Sequence, residues 1–430
     1  MNKILTLNNI SVAGLEKLPR DSYEIASEIQ HPDAVLLRSF KMHDMDIPES
    51  LKAVGRAGAG VNNIPVDKMS EKGVVVFNAP GANANAVKEL VIAGMLMGCR
   101  NLGQAWDFAR NLEGTDEVIG KDVEAGKKNF GGFELPGRTL GVVGLGAIGR
   151  YVANAATDLG MNVIGFDPGI TVEGAWQLSS EVEQANSIDE MIGKVDFITF
   201  HVPLIEATAN MINAERLKLM KDNVVILNFA RNGIIDDEAV SAAIKSGKVY
   251  SYVCDFPSNL LKNHERVITL PHLGASTGEA EDNCAIMVAQ QVKDYLENGN
   301  IKNSVNFPEV KLPRTDGHRV TIVNSNVPDM SGQVYSAHAN KRINVIDILN
   351  KSKGNIAYTI IDIDKPADDD LIADLKNIEG IHLYKYEDTT VSSSYETFGD
   401  VLELQGLDLS TIPTFKEMHP DVFHPNYDTT

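Results

Sequence analysis

Three strand-like runs end in residues able to move a proton or hold an anion. Phe200 is followed by His201-Val202-Pro203-Leu204, and Asn228 by Phe229-Ala230-Arg231. Leu270 is followed by Pro271-His272-Leu273-Gly274-Ala275-Ser276-Thr277. Imidazole is the side chain whose charge changes nearest neutral pH, so a histidine at such a strand end can take or give a proton. Arg231 supplies a fixed, forked cation suited to a carboxylate and to polarising a neighbouring carbonyl. Reversible hydride transfer at an alcohol carbon needs both kinds of group.

A hydride needs an acceptor, and the chain carries a loop for one. The strand-like run Thr139–Val143 leads into Gly144-Leu145-Gly146-Ala147-Ile148-Gly149, and helix-compatible residues Arg150 to Leu159 follow. Gly144 permits a tight turn, Gly146 lets the backbone approach a pyrophosphate, and Gly149 lets the helix sit close on the strand. The amides of Ala147 and Ile148 then face the phosphates. The next strand-like run ends at Asp167, 23 residues after Gly144. A carboxylate there can bond both ribose hydroxyls and repels a 2′-phosphate, which points to NAD rather than NADP.

Such residues need a scaffold of parallel strands. Short apolar runs alternate with helical stretches through the first three hundred residues: Ile4–Leu7, Ala34–Leu37, Val74–Phe77, Thr139–Val143, Asn162–Phe166, Asp196–Phe200, Val224–Asn228, Tyr250–Asp255 and Val267–Leu270. This is the doubly wound α/β pattern, whose chemistry lies at the carboxyl ends of the strands. A helix spans 89–99, a connecting helix and loop fill 101–137, and a long helix covers 278–298. We expect a flavodoxin-like substrate-binding domain over 1–95, completed by 278–306, around a Rossmann domain over 96–277. A linker at 307–317 precedes 318–387, which read strand, helix, strand, strand, helix, strand, the ferredoxin-like βαββαβ order. Residues 388–430, with Ser/Thr runs and few periodic apolar positions, read as a tail.

Composition narrows the partners. The 430 residues carry 39 basic and 59 acidic side chains, a formal charge of −20, with 43% hydrophobic and 23% charged residues. That field opposes nucleic acid and anionic membranes, and an anionic substrate needs a local cluster of cations. Cys99, Cys254 and Cys284 are far apart in sequence and form no CxxC pair, which speaks for a reducing compartment and against a metal site. Met1 to Ile10 has no apolar stretch long enough for a signal peptide, and no run reaches a membrane span, so a cytoplasmic protein is expected.

The motifs Gly55-Arg56-Ala57-Gly58-Ala59-Gly60-Val61, Asn78-Ala79-Pro80, Gly144–Gly149, His201–Leu204, Asn228–Arg231 and Pro271–Thr277 together resemble the D-2-hydroxyacid dehydrogenase family, over about residues 1–386. The similarity is strongest to its branch acting on 3-phosphoglycerate. The resemblance implies that His272 is the acid/base and Arg231 the substrate-orienting cation. It also implies that Asp255 accepts a bond from the nicotinamide amide, and that His201, Pro203 and Gly274 line the cofactor pocket. Two positions depart from the family: Asn232 stands where Gly usually follows the arginine, and Asn259 where a Glu that orients the histidine belongs. Glu265 is near in sequence.

Within the resemblance, Arg38, Ser39, Arg56 and Asn83 match positions that contact phosphate and carboxylate, and Lys88 adds a nearby cation. The unit at 318–387 resembles the ACT domain, a small-molecule sensor that binds L-serine in this branch, with Asn326 and Asn344 at effector positions. Asn324 stands where His is frequent and Asp329 where Gly is frequent. Such sensors pair across subunits, so a homo-oligomer is expected. The implied reaction oxidises (R)-3-phosphoglycerate to 3-phosphooxypyruvate, the entry to L-serine synthesis. Two alternatives stay open: another D-2-hydroxyacid dehydrogenase or a 2-oxoglutarate reductase, and a catalytically weak NAD-sensing regulator.

Overall fold

A computed structural model of the chain describes residues 1–387, and the expected tail from Asp388 lies outside the described residues. Two compact units form: residues 1–311 with 351–358, and residues 312–350 with the described residues from Thr359 on.

The first unit contains two parallel sheets. The five-stranded sheet runs in the order β2-β1-β3-β4-β5, from β1 (Asn2–Leu7), β2 (Tyr23–Ala26), β3 (Ala34–Leu37), β4 (Ala53–Arg56) and β5 (Val75–Phe77). That is the flavodoxin-like order. All four residues of β3 and all three of β5 are buried, as expected of strands covered on both faces. The helix Gly278–Asn298 packs against β4, so the late segment completes this early sheet. It starts at Thr277, whose side chain accepts from the Ala280 amide, and stops at Gly299 in the left-handed region.

The seven-stranded sheet holds β6 (Thr139–Val143), β7 (Asn162–Phe166), β8 (Val182–Gln184), β9 (Phe197–Phe200), β10 (Val224–Asn228), β11 (Val249–Cys254) and β12 (Val267–Thr269). Its order, β12-β11-β10-β9-β6-β7-β8, is the Rossmann arrangement with one added strand. The order reverses between β6 and β9, and the glycine loop leaves β6 at that switch. The helix Ala84–Arg100 packs on β10, β11 and the helix Ala147–Asp158, burying Val87, Val91 and Met95. The segment expected as one helix and a loop carries two helices, Leu102–Arg110 and Asp116–Gly126, and a 3₁₀ turn at Lys127–Phe130. Among the described residues, no helix is long and apolar enough to cross a membrane.

In the second unit β13 (His318–Ser325), β14 (Val345–Lys353), β15 (Ile356–Ile363) and β16 (Ile381–Glu387) order as β14-β15-β13-β16. With the helices Met330–Asn340 and Asp369–Lys376 this is the ferredoxin-like βαββαβ topology. Alternate residues Val320, Ile322, Ile361 and Ile363 join Val334, Leu371 and Leu375 in its core. The expected linker begins as packed structure: Ile301 and Val310 exchange backbone hydrogen bonds, and both are fully buried.

Candidate active site

The glycine loop is shaped by contacts that leave room for a ligand at one position. Gly144 has φ +89, and a Cβ there would lie 2.6 Å from the His201 carbonyl oxygen. A Cβ on Gly149 would run into the Gly144 carbonyl oxygen, so the helix Ala147–Asp158 sits directly on the turn. A Cβ on Gly146 would meet nothing within 4 Å. Gly146 thus faces the open side, where the first helical amides at Ala147 and Ile148 can meet an anion. The Asp167 carboxylate closes β7 and is held by two amides, accepting from Leu145 N at 2.8 Å and Gly169 N at 2.8 Å. Loop, helix start and acid fit a dinucleotide.

His201 backs this loop. Its Nε2 lies 3.1 Å from Thr199 Oγ1, and its Nδ1 is sealed from solvent with no partner among the described residues. Burial pushes its pKa from 6.5 down to about 3, so the ring is neutral at physiological pH. Pro203 is exposed on the following loop, and its carbonyl accepts from Thr208 Oγ1 at 2.6 Å. The depressed pKa carries a sign. The unfolded chain binds this proton below about pH 6.5 and the folded chain does not, so stability falls as pH drops from there toward 3. The slope from this group is at most about 1.4 kcal/mol per pH unit. Thermal unfolding of the cofactor-free protein across that window should show a flatter pH dependence in His201→Gln than in the parent chain. Equal slopes would remove His201 from the account.

At the carboxyl end of β11, Asp255 is 1% exposed, and its carboxylate accepts from the amides of Leu273 at 2.8 Å and Gly274 at 2.9 Å. Its carbonyl also accepts from His272 N at 3.1 Å. The buried acid therefore braces the backbone of His272-Leu273-Gly274. Each carboxylate oxygen can accept more than one bond, so this brace leaves capacity for a further donor. His272 is exposed, has φ +57, and packs its ring against Phe256 with centroids 5.1 Å apart. Among the described residues, no carboxylate lies within ion-pair distance of it; neither Asn259 nor Glu265 provides a partner.

A second brace holds the arginine. Asn228, 1% exposed at the end of β10, donates from Nδ2 to the Arg231 carbonyl at 2.9 Å. Its Oδ1 accepts from Ala230 N at 3.2 Å. The Arg231 side chain is exposed, and its Nη2 lies 3.9 Å from the position of a Cβ on Gly60. It thus reaches the Gly-rich turn that follows β4. Asn232 is tolerated because Gly233, not Asn232, takes the left-handed backbone, at φ +85.

Arg56, at the end of β4, donates from Nε to the Arg38 carbonyl at 3.1 Å. Burial lowers its pKa, Cys284 acts in the opposite sense, and the neighbouring charges of Arg38 and Arg231 lower it further. The turn Gly58–Gly60 lies against both the Arg56 guanidinium and Arg231 Nη2, and Arg56 is tied to the Arg38 backbone, so cations from the ends of β3, β4 and β10 stand near one turn. Arg38 pairs with Glu281 at 2.6 Å, on side chains 38% and 45% exposed. Such an exposed pair is weak and exchangeable. Ser39 is exposed beside Arg38, and Asn83 sits half-buried at the start of the helix Ala84–Arg100. Lys88 is not brought to this cluster: it donates to Asn85 Oδ1 at 2.7 Å and lies 3.8 Å from Glu89 on its own helix.

Sequence reasoning gave no site role to Asn228, Phe256, Glu281 or Cys284. Only Asn228 carried a signal, a polar residue closing an apolar strand. In the second unit, Asn324 is 1% exposed and donates to the Ser325 carbonyl at 2.8 Å, while its Oδ1 is buried with no partner among the described residues. Asn326 lies on the exposed loop after β13. Asn344 is exposed before β14, and β15 separates that strand from β13.

Residues 92–274 match the D-isomer specific 2-hydroxyacid dehydrogenase family, NAD binding domain. The chain is 40% identical over 296 residues to a D-3-phosphoglycerate dehydrogenase of Methanocaldococcus jannaschii, covering 67% of this chain and 54% of that one. It is 30% identical over 342 residues to the D-3-phosphoglycerate dehydrogenase of Haemophilus influenzae, covering 77% and 80%. It spans about half the length of several such curated relatives. The crystal structure of NAD⁺-bound 3-phosphoglycerate dehydrogenase from Entamoeba histolytica superposes with a TM-score of 0.55 at 28% identity, over 71% of this chain and 98% of that one. With the Rossmann order, the glycine loop and Asp167 in place, the chain belongs to the D-isomer specific 2-hydroxyacid dehydrogenase family and carries its NAD-binding domain.

Proposed function

We propose that the protein oxidises (R)-3-phosphoglycerate to 3-phosphooxypyruvate with NAD⁺. The observation carrying this reading is the approach of Arg56 and Arg231 to the one turn Gly58–Gly60, with Arg38 bonded to Arg56 through its carbonyl: three cations for a substrate with a phosphate and a carboxylate in a chain of net charge −20. Arg231 holds the carboxylate and polarises the C2 oxygen. Arg56, fixed on the Arg38 carbonyl, meets the phosphate, and Arg38 exchanges Glu281 for it. His272 removes the C2 hydroxyl proton. A nicotinamide dinucleotide held at the Gly144–Gly149 loop and Asp167 would supply the hydride acceptor, taking the C2 hydrogen with its electron pair as the alcohol becomes a ketone. Asp255 and Asn228 are positioning residues, acting through the backbone of the His272 and Arg231 loops.

The reading extends to a cytoplasmic enzyme of L-serine synthesis, a homo-oligomer whose βαββαβ unit is an ACT-type sensor of L-serine. Three free, buried cysteines accord with a reducing compartment. An NADH-forming assay with phosphoglycerate tests the activity, and added L-serine tests the sensor. Arg56→Met should lower kcat/KM for phosphoglycerate on the order of 10²-fold, the loss of charge-assisted bonds to a phosphate. An equal loss with an unphosphorylated 2-hydroxy acid would show that Arg56 does not read phosphate.

The histidine without a carboxylate partner favours a second reading, an NAD-binding regulator with little turnover. NAD binding with no turnover of phosphoglycerate or any other 2-hydroxy acid supports that alternative.

A further inference from the structure

Arg150 follows the third glycine of the dinucleotide loop, and its side chain turns back onto that loop. Its Nη1 donates to the Leu145 carbonyl at 3.1 Å, and its backbone N donates to the Gly146 carbonyl at 3.1 Å. One residue thus holds two successive carbonyls of the turn. The Asp167 carboxylate accepts from the Leu145 amide at 2.8 Å, so both ends of Leu145 are tied. Leu145 is buried, Arg150 half-buried and Gly146 exposed.

The peptide joining Leu145 to Gly146 is trans and planar, so its C=O and N–H point in opposite directions. Fixing the Leu145 oxygen on the guanidinium therefore aims the Gly146 N–H away from Arg150. A Cβ on Gly146 would meet nothing within 4 Å, which makes this the open part of the loop. The Asp167 bond fixes the preceding peptide plane in the same way. Glycine accepts either sign of φ, so without the guanidinium bond the Leu145–Gly146 plane is free to turn. Amides aimed before an anion arrives bind it better than amides that must be ordered by it. The same Nη1 stands where a Cβ on Gly174 would lie 3.0 Å away, so the guanidinium also rests against the helix Val172–Trp176 beyond β7.

We propose that Arg150 is a positioning residue for the cofactor's pyrophosphate, acting through the Leu145–Gly146 peptide rather than on the phosphates. It presets the direction of the Gly146 N–H, and Asp167 presets the plane before it. Its substitution weakens ligands that carry the diphosphate and spares those that do not.

Displacement of NADH from the full chain, followed by NADH fluorescence, gives the affinities of two probes. ADP-ribose carries the diphosphate; adenosine carries the ribose and base without phosphate. Arg150→Met should weaken ADP-ribose about tenfold, the loss of one charge-assisted bond, and adenosine less than about twofold. Arg150→Lys keeps a charged donor on a flexible stem and should recover part of the ADP-ribose affinity. It also decides the matter should Arg150→Met fold poorly, because its smaller loss must again fall on ADP-ribose alone. An arginine that only stabilised the fold would weaken both probes together. Parallel loss of both probes therefore overturns the proposal. ADP-ribose affinity within about twofold of the parent in the folded variants overturns it as well.

Discussion

His272→Asn should lower kcat on the order of 10³-fold while leaving NAD⁺ affinity and Tm close to those of the parent chain. General acid–base catalysis contributes typically 10²–10⁴-fold, and among the described residues no other imidazole or carboxylate is placed to substitute. The choice of Asn matters because His272 holds φ +57. Alanine there would add backbone strain of about 1–2 kcal/mol and blur the result, whereas Asn accepts the left-handed region and cannot take the proton. The loop itself survives, because its shape rests on Asp255 and the amides of Leu273 and Gly274. Steady-state kinetics with a parallel NAD⁺ titration separates the outcomes. A kcat within tenfold of the parent removes His272 from the proton step, and a matching loss of NAD⁺ affinity makes it a structural residue.

The parts of this site differed in how plainly the sequence carried them. β6, β7 and β10 begin and end where their apolar runs do, because a parallel strand covered on both faces has to be apolar throughout. β2 and β8 were not readable that way. Both are edge strands, and their residues Glu24, Glu183 and Gln184 face solvent. Arg38, Arg56 and Arg231 could be grouped only through topology, since each stands at or just beyond the carboxyl end of a parallel strand. Sequence proximity misled in the other direction: Lys88 follows Asn83 closely, but helical spacing gives its ammonium to Asn85 and Glu89. The braces were the least legible. Asn228 and Asp255 act on backbone amides and carbonyls, and no periodicity or motif spacing encodes such bonds.

Breaking the pair Arg319–Asp362 should destabilise the second unit by about 3–5 kcal/mol. Both side chains are 1% exposed, on adjacent strands β13 and β15. Arg319 donates to Asp362 Oδ1 from Nε at 2.7 Å and to Oδ2 from Nη2 at 2.8 Å. The same guanidinium reaches the carbonyls of Leu312 at 3.0 Å and Pro313 at 2.8 Å. Thr315 Oγ1 adds a bond to Asp362 Oδ2 at 3.1 Å, so one ion pair ties the incoming segment to the sheet. Asp362→Ala takes the carboxylate from a buried guanidinium, and Arg319→Met takes the guanidinium from a buried carboxylate. Either uncompensated charge costs more than the intact pair contributes, because desolvation is no longer offset. For a domain of this size each kcal/mol moves Tm by about 4–8 °C. Hydrogen exchange along β13 and β15 should report the same loss, while β6 and β10 keep their protection. The double variant Arg319→Met, Asp362→Leu removes both charges and should recover most of the stability. A double variant as unstable as the worse single one would mean that shape and the Leu312 and Pro313 bonds, rather than the lone charge, set the cost.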